Sequence, residues 1–335
     1  MIKRRLGRTD IEVAAVGFGG IPIQGISFAE AERVLLRAVD RGIEFFDSAR
    51  GYTDSEEKIG RALASRRRGI VLASKAMSRD AASMRGELET SLRNLRTDMI
   101  DLYQCHAVGS DGQLERILGP GGAFEALSLA REQGKVRWIG ITGHSRPVLL
   151  KAVQTGLFDT VQFPLNPIET EWEGDVVPAA ARGGIGTIGM KPVAGGAIRN
   201  AVLSIRYSLT HGIDVSIPGM DSAGQVDENC LAAESVAPLS EEELALLAAE
   251  KELWGGKFCR RCGYCMPCPS GVNIPFLLLI EAYYTRYGLR DWALQRLAGL
   301  EKKFGDCIAC GECLEKCPYE LPIVDLLKKG AATVL

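Results

Sequence analysis

The sequence has no apolar run long enough to cross a bilayer. Its longest, near residues 274–280, falls far short of the roughly 20 residues a spanning helix needs, so no membrane association is expected. There is no excess of charge either. Forty basic and 42 acidic side chains leave a net −2, which gives no reason to expect nucleic acid or an anionic lipid surface as partner. A basic stretch at Met1–Arg5 is not followed by an apolar core, so no secretory signal is expected and a cytoplasmic setting is. The glycine fingerprint of open dinucleotide-binding sheets is missing: Gly17-Phe18-Gly19-Gly20-Ile21-Pro22 departs from G-x-G-x-x-G. No flavin motif is visible.

What is present is a repeating beat. Short β-prone runs at residues 13–18, 43–47, 69–74, 99–105, 136–142, 160–163, 185–190 and 215–217 alternate with amphipathic helical runs. The helical runs lie near 28–41, 55–64, 81–95, 123–133, 147–154, 176–181, 198–209 and 222–233. Before the first run, residues 4–13 read as a hairpin turning at Gly7–Asp10. Strands that alternate with helices imply a parallel sheet. Eight such units over roughly 220–240 residues have the size of a (β/α)₈ TIM barrel, and the missing fingerprint favours that over an open sheet. At 335 residues the chain has room for the barrel and a small second domain. We expect the barrel over residues 1–253, closed by a helix whose Ser240-Glu241-Glu242-Glu243 start resembles a capping box, and a second domain over 254–335 after Gly255-Gly256.

In such a barrel, working residues sit at the carboxyl ends of strands. The run Ile43–Glu57 ends a strand at Asp47 and carries Tyr52 on the next loop; Lys75 and His106 end the next two strands. Each alone has a structural explanation, but all four on one rim suggest chemistry. A tyrosine with an unperturbed pKa of about 10 can protonate a developing alkoxide if a neighbouring ammonium lowers it, and Lys75 is the candidate. Asp47 would hold Lys75 charged, and His106 would orient a carbonyl.

These residues resemble the Asp-Tyr-Lys-His tetrad of the aldo-keto reductases. So do Gly51-Tyr52, Ser55-Glu56, Ile59-Gly60 and Ser91-Leu92-Arg93-x-Leu95-x-x-Asp98-x-x-Asp101-Leu102-Tyr103, over about residues 3–236. The resemblance implies a (β/α)₈ fold binding NAD(P)H at the barrel mouth, with hydride passing to an aldehyde or ketone and Tyr52 as acid. It maps cofactor contacts onto Gly19, Thr142, Gln162, Met190, Lys191, Gly219, Gln225, Glu228 and Asn229. Thr142-Gly143 stand where the family usually has Ser-Asn, and Met190 where many members stack a tyrosine. Gly219, Met220 and Gln225 replace the charged clamp on a 2′-phosphate, which puts a preference for NADP(H) over NAD(H) in question. The substrate is not legible: residues 108–122 form a Gly-rich loop without recognisable pocket chemistry.

Of ten cysteines, Cys105 and Cys230 stand alone and eight fall between Cys259 and Cys317. Of Cys259-x2-Cys262-x2-Cys265-x2-Cys268-Pro269 and Cys307-x2-Cys310-x2-Cys313-x3-Cys317-Pro318, the second has ferredoxin-type 4Fe–4S spacing and the first is one residue tighter. Since the Cys-Pro cysteine reaches to the neighbouring cluster, Cys259, Cys262, Cys265 and Cys317 are assigned to one cluster and Cys307, Cys310, Cys313 and Cys268 to the other. All-cysteine zinc is the competing reading. The long insert between the motifs resembles α-helical dicluster ferredoxins, with Tyr283, Tyr284, Tyr287 and Trp292 as core. The combination resembles the iron-sulfur branch of the aldo-keto reductases. Nicotinamide delivers two electrons and each cluster moves one, so three roles for the clusters stay open: structural staples, acceptors from a partner such as ferredoxin, or part of a nucleotide-sensing module without carbonyl turnover.

Overall fold

A computed structural model describes residues 1–335. Two short strands, β1 (Lys3–Arg5) and β2 (Glu12–Ala14), pair antiparallel with Lys3 opposite Ala14. Leu6, Ile11 and Val13 of this hairpin share a buried cluster with Phe45, Leu102, Ile188 and Val215, so it plugs one end of the barrel. Gly7 has φ +55°, and a Cβ there would lie 2.2 Å from the Gly186 backbone nitrogen. Only glycine permits both that turn and that approach.

Eight parallel strands follow: β3 (Phe18–Gly19), β4 (Phe45–Asp47), β5 (Val71–Ala76), β6 (Ile100–Cys105), β7 (Val136–Thr142), β8 (Thr160–Pro164), β9 (Gly186–Met190) and β10 (Val215–Ile217). Each pairs with the next in chain order, and bridges Val16–Ser216 and Gly19–Gly219 join last to first, closing the barrel. Helices cover the outside over a continuous apolar core. The first of them, Phe28–Asp40, starts at a reciprocal capping box between Ser27 and Glu30. The run at 13–18, expected as one strand, is divided. Val13 belongs to the hairpin and Phe18 to the barrel, because the chain must turn from the plug into the wall between them. The segment 108–122, expected to be loop, holds a helix at Asp111–Leu118 capped by Ser110.

The capping box Ser240–Glu243 is present and starts the helix Glu241–Gly255. Beyond it lie helices Ile274–Thr285, Arg290–Ala298 and Ile323–Val334, packed round a separate core that includes Leu277, Ile280, Leu297 and Leu327. No helix is long and apolar enough to cross a membrane.

Candidate active site and iron-sulfur cavities

Asp47 and Lys75 are both buried, on adjacent strands β4 and β5. The Lys75 ammonium donates to Asp47 Oδ1 and to the Ser48 carbonyl at 2.8 Å. Gln104 Nε2 reaches Asp47 Oδ2 at 3.4 Å and Gln162 Oε1 at 2.8 Å, so strand-end polar groups form one connected layer across β4, β5, β6 and β8. Burial pushes the Asp47 carboxyl up and the Lys75 ammonium down; the attraction between them pulls each back. An ion pair compensates two buried charges that neither residue could carry alone.

Tyr52 stands over this pair, with Lys75 Nζ 5.2 Å from its ring centroid. Its ring meets the His106 imidazole edge-on at 5.9 Å. Burial holds the Tyr52 phenol well above its usual range; Tyr283, Asp47 and Tyr287 add to the rise and Arg261 opposes it. The expected lowering by Lys75 is therefore not found: that ammonium is committed to Asp47, and desolvation dominates. Tyr52 is thus held as a protonated phenol. Burial, then the cations Lys75, Arg79 and Arg261, pulls His106 well below its usual value, leaving a neutral imidazole whose Nδ1 has no partner.

The other motif residues brace this site from behind. Glu56, fully buried, accepts from Ser74 at 2.6 Å, Ser91 at 2.7 Å and Arg50 at 2.5 Å. Ser91 also meets the Tyr103 hydroxyl at 3.0 Å, and Asp101 accepts from Arg67 at 2.7 Å and from the Leu72 backbone at 2.9 Å. These bonds tie the helices behind β5 and β6 to the strands that carry Lys75 and His106.

Of the expected cofactor contacts, Thr142 and Gln162 are buried and lie in register on β7 and β8, with Met190 ending β9. Thr142 Oγ1 accepts from the Ala107 backbone at 3.0 Å. Beside them the His144 Nδ1 and Gln104 Oε1 are buried without partners, so this corner has polar atoms free for a carboxamide. Lys191 turns the chain at φ +54°, its carbonyl held by Asn166 at 3.0 Å. Gly19 and Gly219 face each other across the closing bridge, and a Cβ on Gly219 would sit 2.7 Å from Pro22. Met220 is fully buried, and the Gln225 side-chain carbonyl accepts from the Asp221 backbone at 2.8 Å. Glu228 is exposed and Asn229 buried. The nearby Arg37 and Arg41 are paired with Asp227.

Three groups near the mouth are not expected from the sequence, and a fourth, Tyr287, is expected only as core. His144 follows β7 and is a neutral imidazole, burial being the main cause and Arg261 the next. Glu169, on the loop after β8, is buried and pushed up to about 7, although Asn166 donates to it at 2.9 Å. The rule that strand ends carry function applies to both. Arg261 and Tyr287 could not be found that way, because they come from the C-terminal region. That region is fastened across the barrel mouth. Arg260 donates to the Ile168 carbonyl at 3.0 Å and lies 3.7 Å over the Tyr319 ring; Tyr319 donates to Glu171 at 2.7 Å. Leu289 packs on Gly25 and Tyr287 on Gly195. Tyr283 is buried and stacked between Tyr287 and Trp292, as expected of core, yet it also adds to the rise of the Tyr52 phenol.

The eight clustered cysteines ring two cavities. Cys259, Cys262, Cys265 and Cys317 line one. Cys268, Cys307, Cys310 and Cys313 line the other, which Cys265 also borders. This is the crossed arrangement that the two Cys-Pro positions imply. The thiols surround space without converging on a point: no three His, Cys, Asp or Glu side chains are set closely enough for a single metal ion. Burial pushes Cys259 and Cys265 up to about 12, so ligation there must displace protons. Cys105 and Cys230 are buried and remote from both sets.

A closed parallel barrel with this strand-end layer, joined to a helical module with two four-cysteine cavities, defines an oxidoreductase carrying an iron-sulfur domain. The Aldo/keto reductase family model matches residues 15–205 and a 4Fe-4S dicluster domain model matches 258–321, so the chain belongs to the aldo-keto reductase family with a C-terminal iron-sulfur domain. It is 28% identical to an L-galactose dehydrogenase of Arabidopsis thaliana over 298 residues, covering 74% of this chain and 92% of that protein. An uncharacterized oxidoreductase of Bacillus subtilis is 32% identical over 59% of this chain and 68% of its own length. Among solved structures, the holo form of an aldo-keto reductase from Bacillus halodurans superposes with TM-score 0.66 at 24% identity, covering 75% of this chain and 96% of that one.

Proposed function

We propose that this oxidoreductase reduces an aldehyde or ketone, or runs the reverse reaction, at Tyr52. The observation that carries the reading is the buried Lys75–Asp47 pair beneath a protonated Tyr52, with the neutral imidazole of His106 at the edge of its ring. A bound nicotinamide supplies hydride to the carbonyl carbon. Tyr52 gives its proton to the carbonyl oxygen, with the Lys75 ammonium 5.2 Å from its ring and held there by Asp47. His106 can hydrogen-bond that oxygen and fix its angle without competing as an acid. Thr142 and Gln162, with the free polar atoms beside them, would hold the carboxamide; Met190 would lie against the ring. Gly19, Lys191, Gly219, Gln225, Glu228 and Asn229 would follow the rest of the nucleotide. No free cation stands on the 219–225 loop, so we infer at most about a tenfold preference for NADPH over NADH.

We further propose the domain limits 1–253 and 254–335 and two 4Fe–4S clusters, one held by Cys259, Cys262, Cys265 and Cys317 and one by Cys268, Cys307, Cys310 and Cys313. A module of about 80 residues with a small apolar core needs such staples, and it covers the barrel mouth. The clusters then hold the cap while the electrons for the carbonyl come from hydride. Anaerobic assay against a carbonyl panel tests the reading. Wild type should turn over, and Tyr52→Phe should lose about 10²–10⁴ in kcat while still binding nicotinamide. Tight nicotinamide binding without any turnover would indicate a sensor instead.

A further inference from the structure

Between the loop after β9, the helix Glu241–Gly255 and the iron-sulfur domain lies an open cleft. Lys191, Lys257, Arg261, Arg286 and Lys329 line it against a single acid, Glu281. None of the five cations has a carboxylate within 4.0 Å. They are graded by depth: Lys257, Arg286 and Lys329 are exposed at the rim, whereas Lys191 and Arg261 are half-buried. Lys191 and Ala194 of this lining follow β9 at the barrel mouth, and Arg260, next to Arg261, is bonded to Ile168 on the loop after β8. The cleft therefore opens at the rim that carries the tetrad, and the Arg261 charge acts on Tyr52, His106 and His144.

Arg261 sits between two cysteines of one cavity, Cys259 and Cys262, with φ +58°, and Ala309 repeats that backbone at φ +54° in the second cysteine motif, so the turn belongs to the cysteine loop. Its guanidinium makes no hydrogen bond or ion pair to the protein and lines the cleft, where it can meet an anion. Glu169, a buried carboxyl on the loop after β8, is bonded to Asn166 at 2.9 Å instead.

Resting on the carbonyl-reduction reading above, we propose that the cleft admits an anionic carbonyl substrate and that Arg261 grips its carboxylate while the carbonyl meets Tyr52 and His106. The rim lysines and Arg286 would gather the anion, and Arg261 would fix its register. The iron-sulfur domain thereby supplies the specificity of a site whose chemistry belongs to the barrel.

The test uses the full, anaerobically prepared protein and two probes of one shape, 4-carboxybenzyl alcohol and 4-methylbenzyl alcohol, with calorimetric binding as readout. Wild type should bind the carboxylate at least about tenfold more tightly. Arg261→Met should remove about 10- to 100-fold of its affinity and leave the neutral probe unchanged, with partial rescue by Arg261→Lys. Raising salt from about 0.05 to about 0.5 M should weaken only the anion. Should Arg261→Met lose the iron-sulfur absorbance, the double variant Lys257→Met/Lys329→Met carries the test and should slow association of the anion severalfold. Equal binding of the two probes, or an Arg261→Met defect confined to nicotinamide binding, would overturn the proposal. The corresponding aldehydes separate it from the reading it rests on. Turnover without charge discrimination defeats this inference alone, and discrimination in binding without turnover defeats carbonyl reduction alone.

Discussion

Lys75→Met removes the ammonium that faces Asp47 and leaves the rest of the layer in place. Lys75 is fully buried and Asp47 nearly so; the carboxylate would keep only Gln104 Nε2 at 3.4 Å and the neighbouring Gln162. Removing one member of a buried ion pair typically costs about 3–5 kcal/mol, because the survivor is stranded. For a chain of this size that moves a urea midpoint down by about 1 M. The stranded carboxyl escapes by taking a proton, so its folded pKa rises further above its unfolded value. A carboxyl raised in this way loses stability as pH climbs from the unfolded toward the folded value. Lys75→Met should accordingly be most stable near pH 5 and weaken toward pH 8, and Asp47→Asn/Lys75→Met should recover about 2 kcal/mol or more. Urea unfolding of wild type, Lys75→Met and the double variant across that range measures both effects. A Lys75→Met loss under about 1 kcal/mol, or a double variant no better than the single one, would refute the account of a compensating pair.

Two further outcomes follow from the same geometry. Glu169 is pushed up to about 7 by burial, so folding disfavours its charge between its unfolded value and about 7; Glu169→Gln should gain stability relative to wild type as pH rises from 5 to 8, by about 2–3 kcal/mol in urea unfolding. Cys317→Ser and Cys268→Ser should each reduce iron from about eight to about four per chain, but at different clusters, which electron paramagnetic resonance of the reduced proteins should distinguish; stoichiometric zinc without acid-labile sulfide would defeat the assignment.

The barrel and the tetrad were legible because both are written locally. Alternation marks the strands, and Asp47, Lys75 and His106 each lie at a strand end where the rule for such barrels looks. The grouping of the cysteines round two cavities was legible from spacing, since cysteines two residues apart are held together by the chain itself. The division of residues 13–18 was not, because an apolar run reads the same whether it serves one sheet or two. Nor was the seam. Arg261 and Tyr287 act on the Tyr52 phenol across more than 200 positions of sequence, and Arg260 finds Ile168 through packing that no local pattern encodes. The rise of the Tyr52 phenol belongs to that seam as well, since the C-terminal tyrosines contribute to it.

The central claim is that nicotinamide hydride, with a proton from Tyr52, reduces the carbonyl beneath an iron-sulfur cap. Deuterium tracing tests it most directly. Anaerobic turnover of an accepted aldehyde with nicotinamide deuterated at the transferable C4 position should place one deuterium on the carbinol carbon, and Tyr52→Phe should slow that transfer by about 10²–10⁴. Alcohol formed at the same rate with only solvent hydrogen on that carbon would contradict the account, because its electrons would then have come through the clusters.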